Sequence, residues 1–174
     1  MNAVSDFIKS NQPADAFTGT ELEGYCNLSP TRKGRVGEFI AKRVLLEEFP
    51  TADLYDRNNT GHDFITTRSG KELKVEVKFS ASVPDSVYIF NHISISKDWD
   101  VVMFVTPNTV DEGGNVSYAA RWCNKEAVAA NAACTSPVFR HQQGGRKGNN
   151  DDFMAAVYDL QELTETRPLS ELGL

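Results

Sequence analysis

No stretch of eighteen apolar residues occurs in the chain, so a membrane-crossing helix is not expected. The segment from Met1 to Phe7 has neither the basic start nor the apolar run of a secretory signal. Cysteine is scarce. Cys26, Cys123 and Cys134 are odd in number and show no Cys-x-x-Cys spacing. That pattern argues against a disulfide framework or a cysteine-based zinc site, and for reduced thiols in a cytoplasmic protein. Also missing are a phosphate-binding glycine loop ending in lysine, a Rossmann glycine fingerprint and a Ser-His-Asp arrangement. No repeat, low-complexity tract or Pro/Gly-rich linker divides the chain, and residues 1–174 are expected to form one domain. Positive charge is short as well: 18 Lys and Arg stand against 24 Asp and Glu, a net charge of −6. This balance argues against tight non-specific binding of a polyanion. Net charge does not report distribution, however.

What is present is ordinary globular composition, with 40% hydrophobic and 24% charged residues, long enough to bury a core. Residues 1–28 are polar and weakly patterned and read as an N-terminal extension with one short helix and a loop. Ser29-Pro30 reads as an N-cap followed by proline at the first helical position. The helix it opens runs to about Glu48, with Val36, Phe39, Ile40, Val44 and Leu46 at core spacing and Pro50 ending it. A short strand is expected at 52–56. Residues 62–80 alternate around Ser69-Gly70 as a β-hairpin, and 87–95 alternate as a further strand. The nearly all-apolar run from Asp100 to Thr106 predicts a strand covered on both faces. A strand at 116–122, a helix at 124–133 capped by Asn124, and a glycine-rich polar loop at 139–152 follow. Residues 153–163 fit a helix or a strand equally. The order of elements predicts a mixed α/β domain.

The hairpin carries the chemistry. With Ser69 and Gly70 as its two loop residues, Arg68 faces Lys71, and the same register sets Asp63 opposite Glu76. Their Cβ atoms would then lie roughly 5 Å apart on one face, with Phe64, Leu73, Val75, Val77 and Phe79 on the other. Two carboxylates that close repel by about 3 kcal/mol at an effective dielectric near 20. A cation removes that penalty, and hard oxygen ligands with room for water suit Mg²⁺, with Mn²⁺ as a substitute. Lys78, two residues beyond Glu76, projects from the same face, and the Val77 carbonyl offers a neutral ligand. Glu-x-Lys tripeptides also arise by chance, and Glu72-Leu73-Lys74 is a second one in the same strand.

Upstream, the helix contains Gly34-Arg35-Val36-Gly37-Glu38-Phe39. Gly34, Gly37 and Ala41 form a stripe of small residues that permits close approach to a sheet or to a phosphate backbone. Two interior glycines cost that helix roughly 1 kcal/mol each relative to alanine. Glu38 borders the stripe, either as a surface charge or at the metal, directly or through water.

Glu38 in a helix, then Gly61-His62-Asp63, then Glu76-Val77-Lys78 in a strand, resembles the ordered motif set of the PD-(D/E)XK, or restriction-endonuclease-like, nuclease superfamily. His62 stands where that motif has proline. The resemblance orders residues 30–106 as a catalytic core. It implies a mixed β-sheet flanked by α-helices and Mg²⁺-dependent hydrolysis of phosphodiesters. It also implies catalytic roles for Glu38, Asp63, Glu76 and Lys78, and DNA as the partner. A restriction-type, site-specific endonuclease is the leading expectation, and cutting both strands would favour a homodimer. A junction resolvase or RNA-acting nuclease, or a binding module without turnover, are the alternatives.

Substrate contacts are expected from two basic clusters. One comprises Arg32, Lys33 and Arg35 at the start of the helix. The other is the loop with Arg140, His141, Gln142, Arg146 and Lys147, whose cations and amides suit phosphates and base edges. Lys74 shares the face of Glu76, to touch phosphate or to pair with Glu72. Asn91 and His92 lie in the strand after the hairpin, as substrate contacts or as structural residues. His62 is expected in a core or loop role.

Overall fold

A computed structural model describes residues 15–56, 61–82, 86–133, 139–141 and 152–174. The first helix, α1, spans Pro30–Glu48. Ser29 is its N-cap in extended backbone but makes no side-chain capping bond; its carbonyl accepts from the Lys33 amide instead. Proline occupies the first turn, where no amide hydrogen is needed. At the other end the Phe49 amide donates to Leu45 before Pro50 stops the helix.

Strands β1 (Leu54–Tyr55), β2 (Phe64–Arg68) and β3 (Lys71–Phe79) follow. Next come β4 (Tyr88–Ser94), β5 (Val101–Val110) and β6 (Val116–Asn124). Helix α2 (Lys125–Ala133) precedes β7 (Phe139–His141), β8 (Asp152–Val157) and β9 (Arg167–Pro168). One sheet has the order β1-β2-β3-β5-β6-β9, with β3 and β5 parallel and the other pairs antiparallel. A second, antiparallel sheet has the order β4-β8-β7. The fold is therefore mixed α/β around a mixed sheet. Among the described residues no helix is long and apolar enough to cross a membrane.

The hairpin register is the one read from the turn. Arg68 pairs with Lys71, and the ladder runs to Phe64 opposite Val75. Ser69 and Gly70 both have positive φ, 51° and 75°, the geometry a two-residue turn needs to match the strand twist.

Strand β5 joins two cores through its alternation. Val101, Met103 and Val105 face α1, packing with Ile40, Ala41, Val44 and Leu45 and with Phe64, Val75 and Val77. Val102 and Phe104 face the other way, among Phe90, Ile93, Phe153, Ala155 and Val157 of the second sheet and Val128 of α2. The strand is buried on both sides, as its apolar run predicts. The second face is covered largely by a sheet, where flanking helices are expected from sequence.

Several readings are corrected. Phe39 and Leu46 are not core residues: Phe39 is 68% exposed and Leu46 39%. Helix α1 lays its small residues on the sheet, and Gly37 sits so close to β3 that a Cβ there would overlap Phe79. That contact rotates Phe39 outward. Residues 153–163 resolve as strand β8 followed by a 3-10 turn at Leu160–Glu162. Alternate side chains Phe153, Ala155 and Val157 are buried, so pairing with β4 overrides the helical spacing. The expected loop at 139–152 begins and ends in strand, because Phe139 to His141 pair with β8 and Asp152 opens β8. The described part of the N-terminal extension holds turns and a short 3-10 helix at Tyr25–Asn27.

Candidate functional site

The candidate site lies where β2 ends beside β3. The paired ladder stops at Phe64, one residue short of Asp63. There the Asp63 amide donates to the Val75 carbonyl at 2.9 Å. Its carboxylate turns over the strand and accepts from the Val77 amide at 2.6 Å. Asp63 and Glu76 thus meet through a folded-over strand end, in place of the regular cross-strand pair expected from the register. In a strand the N–H and C=O of one residue point to the same side. The Val77 carbonyl therefore lies on the Asp63 side, past the last pair of β2.

Glu76 is a buried carboxylate, 3% exposed. A buried charge persists only when paired, and two lysines pair this one. Lys78 Nζ donates to its Oε1 at 2.6 Å, and Lys97 Nζ to the same oxygen at 3.1 Å. Lys78 shares the Glu76 face because the two residues are successive same-side positions on β3, flanked by Val102 and Phe104 of parallel β5.

Asp63 and Glu38 are each half-buried. Burial, then the neighbouring charge of Glu76, holds the Asp63 carboxyl above its ordinary range; the Val77 amide and the nearby lysines oppose the shift. Burial, then the charge of Asp63, does the same to Glu38, against the pull of Lys42 and Arg35. The Glu38 carboxylate makes no hydrogen bond or ion pair among the described residues. The three carboxylates thus form a like-charged group that the nearby ammoniums offset in part.

These groups open on a cleft of about 610 Å³. Its floor is Asp63, Glu76, Val77 and Lys78; one wall is Lys33, Gly34 and Glu38 of α1 with Tyr25; the other is Ile89, Asn91 and His92 of β4 with Lys97. Gly34 faces open space, so the small-residue stripe divides in function. Gly37 and Ala41 pack on the sheet, and Gly34 widens the cleft.

The β4 wall is bulged. Its pairing with β8 shifts between Phe90 and Ile93, and His92 takes a positive φ of 56°. A bulge re-aims the side chains of a strand. Here it leaves both Asn91 and His92 exposed at the cleft, where strict alternation would bury one of them. His92 Nδ1 is 3.9 Å from the Asp152 carboxylate.

Other candidate residues lie elsewhere. Lys74 grips the Asp98 carboxylate at 2.7 and 2.8 Å and does not line the cleft. The charge of Glu72, the partner anticipated for it, also acts on Lys74, but the Lys74 ammonium bonds go to Asp98. Arg32 and Arg35 are exposed on α1 outside the cleft lining, and only Lys33 of that cluster enters it. Arg140 is exposed on β7 and His141 closes that strand. Gln142, Arg146 and Lys147 lie outside the described residues. His62 is buried, and its Nδ1 lies 2.9 Å from the Asp98 carbonyl.

Lys97 is the residue sequence reasoning missed. No local motif marks it. It reaches Glu76 only because β5 runs parallel to β3 with Val101 beside Val75, which brings the turn before β5 next to Lys74 and leaves Glu76 within reach of the long Lys97 side chain.

Donor chemistry fits a hard divalent cation: three carboxylates, two of them mutually strained, and a backbone carbonyl. Among the described residues, no three Asp, Glu, His or Cys side chains converge in a ligand arrangement. Glu76 Oε1 itself faces two ammonium groups. Binding through that oxygen would require Glu76 to exchange those partners for the cation. In comparisons with known proteins, no family model and no curated protein matches this chain.

Proposed function

We propose that this protein is a Mg²⁺-dependent endonuclease that hydrolyses DNA phosphodiester bonds, in the manner of the PD-(D/E)XK superfamily and on a restriction-endonuclease-like form of the α/β fold. The single observation that carries the reading is the meeting of Asp63, Glu76 and Lys78 at one cleft floor, with Glu38 of α1 in the wall. A mere solvated hairpin face would leave Glu76 exposed and its partners interchangeable. Instead, Glu76 is buried and doubly paired.

Asp63 and Glu76 would hold the cation, with the Val77 carbonyl and with Glu38 directly or through water. When bound, Mg²⁺ polarises the phosphate and lowers the pKa of a coordinated water. Lys78 would orient the attacking water and offset charge developing on the phosphate. Asn91 and His92 of the bulged strand and Lys33 of α1 flank the same cleft and position the nucleic-acid backbone. Mn²⁺ serves in place of Mg²⁺, since it accepts the same hard oxygen ligands.

The test is incubation of supercoiled plasmid with protein and Mg²⁺, with and without EDTA, alongside Glu76→Gln and Asp63→Asn. Nicked or linear products are expected with Mg²⁺ alone, and none with EDTA or with either variant. Cleavage near the wild-type rate in Glu76→Gln would overturn the assignment.

A further inference from the structure

The turn between β4 and β5 is fastened on nearly every side. The indole of Trp99 donates to the Ser94 carbonyl at 2.7 Å, and Lys125 Nζ donates to the Lys97 carbonyl. Asp98 is gripped by Lys74 through its carboxylate and approached by His62 at its carbonyl. Asp100 accepts from the Lys74 amide at 2.8 Å. Gly61 lies so close to the Asp98 backbone that a Cβ would come within 2.8 Å of its nitrogen. One side chain of this turn is directed into the cleft: Lys97, 39% exposed, whose ammonium ends on Glu76. A fixed backbone carrying a flexible four-carbon stem is suited to a charge that moves between two partners.

Charge counting gives that movement a direction. Lys33, Lys78 and Lys97 line the cleft with Glu38, Asp63 and Glu76, so the free site is formally neutral. Lys78 and Lys97 both bond the same oxygen of Glu76, although one ammonium at 2.6 Å already compensates it. If Glu76 Oε1 turns to a divalent cation, both ammoniums lose that partner and the cleft gains two positive charges, enough to match the single charge of a phosphodiester and the further negative charge that develops on it during attack.

We propose that Lys97 is a second lysine of the site: it occupies Glu76 in the free protein and transfers to the substrate phosphate when a divalent cation takes that carboxylate. This rests on the metal-site reading above. Lys97 therefore opposes cation binding in the free protein and assists the reaction once substrate is present. A merely structural lysine would do neither.

Mn²⁺ binding to the DNA-free protein separates these roles. Lys97→Met keeps the stem and removes the charge. It should bind Mn²⁺ about tenfold more tightly than wild type, on the scale of effects from groups that contact metal ligands. The same variant should cleave about tenfold more slowly, or worse, at saturating Mn²⁺ and DNA. Lys97→Arg should return Mn²⁺ affinity toward the wild-type value. Thermal unfolding of each variant checks that the fold is retained. Equal or weaker Mn²⁺ binding in Lys97→Met overturns the inference while leaving the metal reading standing. Absence of Mn²⁺ binding in wild type and variant alike overturns both.

Discussion

Asp63 shows how a single side chain reports strain in the site. Burial and the charge of Glu76 push its carboxyl above the ordinary aspartate range. An acid with a raised folded-state pKa favours folding where it is protonated, and that contribution is lost as pH rises through the folded value. The free protein therefore carries a cost at neutral pH that Asp63→Asn removes. The variant should melt higher than wild type at pH 7 without metal. Its advantage should vanish as pH falls below about 3.8, the ordinary aspartate value. Melting curves from pH 3.5 to 7.5 check this, and an advantage independent of pH would assign the gain to packing. Lysines separate as sharply. Lys78→Ala removes the ammonium nearest Glu76 and should lower single-turnover cleavage by about 10²-fold or more. Lys74→Ala breaks an ion pair with Asp98 and should leave cleavage within a few-fold of wild type. A dead Lys74 variant beside an active Lys78 variant would move the site to the other Glu-x-Lys frame.

Helix α1 and the hairpin differ in how much of their geometry is local. The hairpin was legible because Ser69-Gly70 sets its register, and the period-two pattern then assigns each residue to a face. That logic put Asp63, Glu76 and Lys78 close together at one end of the hairpin from spacing alone. It did not find the fold-over at Asp63, where the carboxylate accepts from the Val77 amide and Gly61 just before it packs against Asp98, a contact distant in sequence. The rotation of α1 was not legible either. Hydrophobic spacing favours burying Phe39, whereas close packing of Gly37 on Phe79 buries the small stripe and turns Phe39 to solvent. Gly37→Ala is the corresponding test. It gains up to roughly 1 kcal/mol of helix propensity but adds a methyl where Phe79 leaves no room. Net destabilisation of about 1–3 kcal/mol is expected, read by urea unfolding. A stabilised variant would mean that α1 stands farther from β3. Strand β4 illustrates a third case, since alternation predicts one exposed face and the bulge at Asn91-His92 exposes two neighbouring side chains.

Across the whole molecule, long-range topology supplies what local pattern lacks. Lys97 is more than twenty residues from Glu76, and only the parallel pairing of β3 and β5 brings it there. The same topology lets one apolar strand serve two cores and hold the cleft between α1 and the second sheet. An acidic protein of net charge −6 that binds DNA should do so weakly without a divalent cation and more tightly with one. With Ca²⁺ present to block turnover, Lys33→Ala should weaken binding and reduce the salt slope by about 1, the share of one phosphate contact. Titrations at several salt concentrations check this, and an unchanged slope would remove α1 from the binding surface.

The most direct measurement is the anomalous scattering of Mn²⁺ in crystals of the protein. The account predicts one strong peak between Asp63 and Glu76, about 2.1 Å from their carboxylate oxygens, with the Lys97 ammonium withdrawn from Glu76. A peak elsewhere, or none while both lysines remain on Glu76, would contradict it.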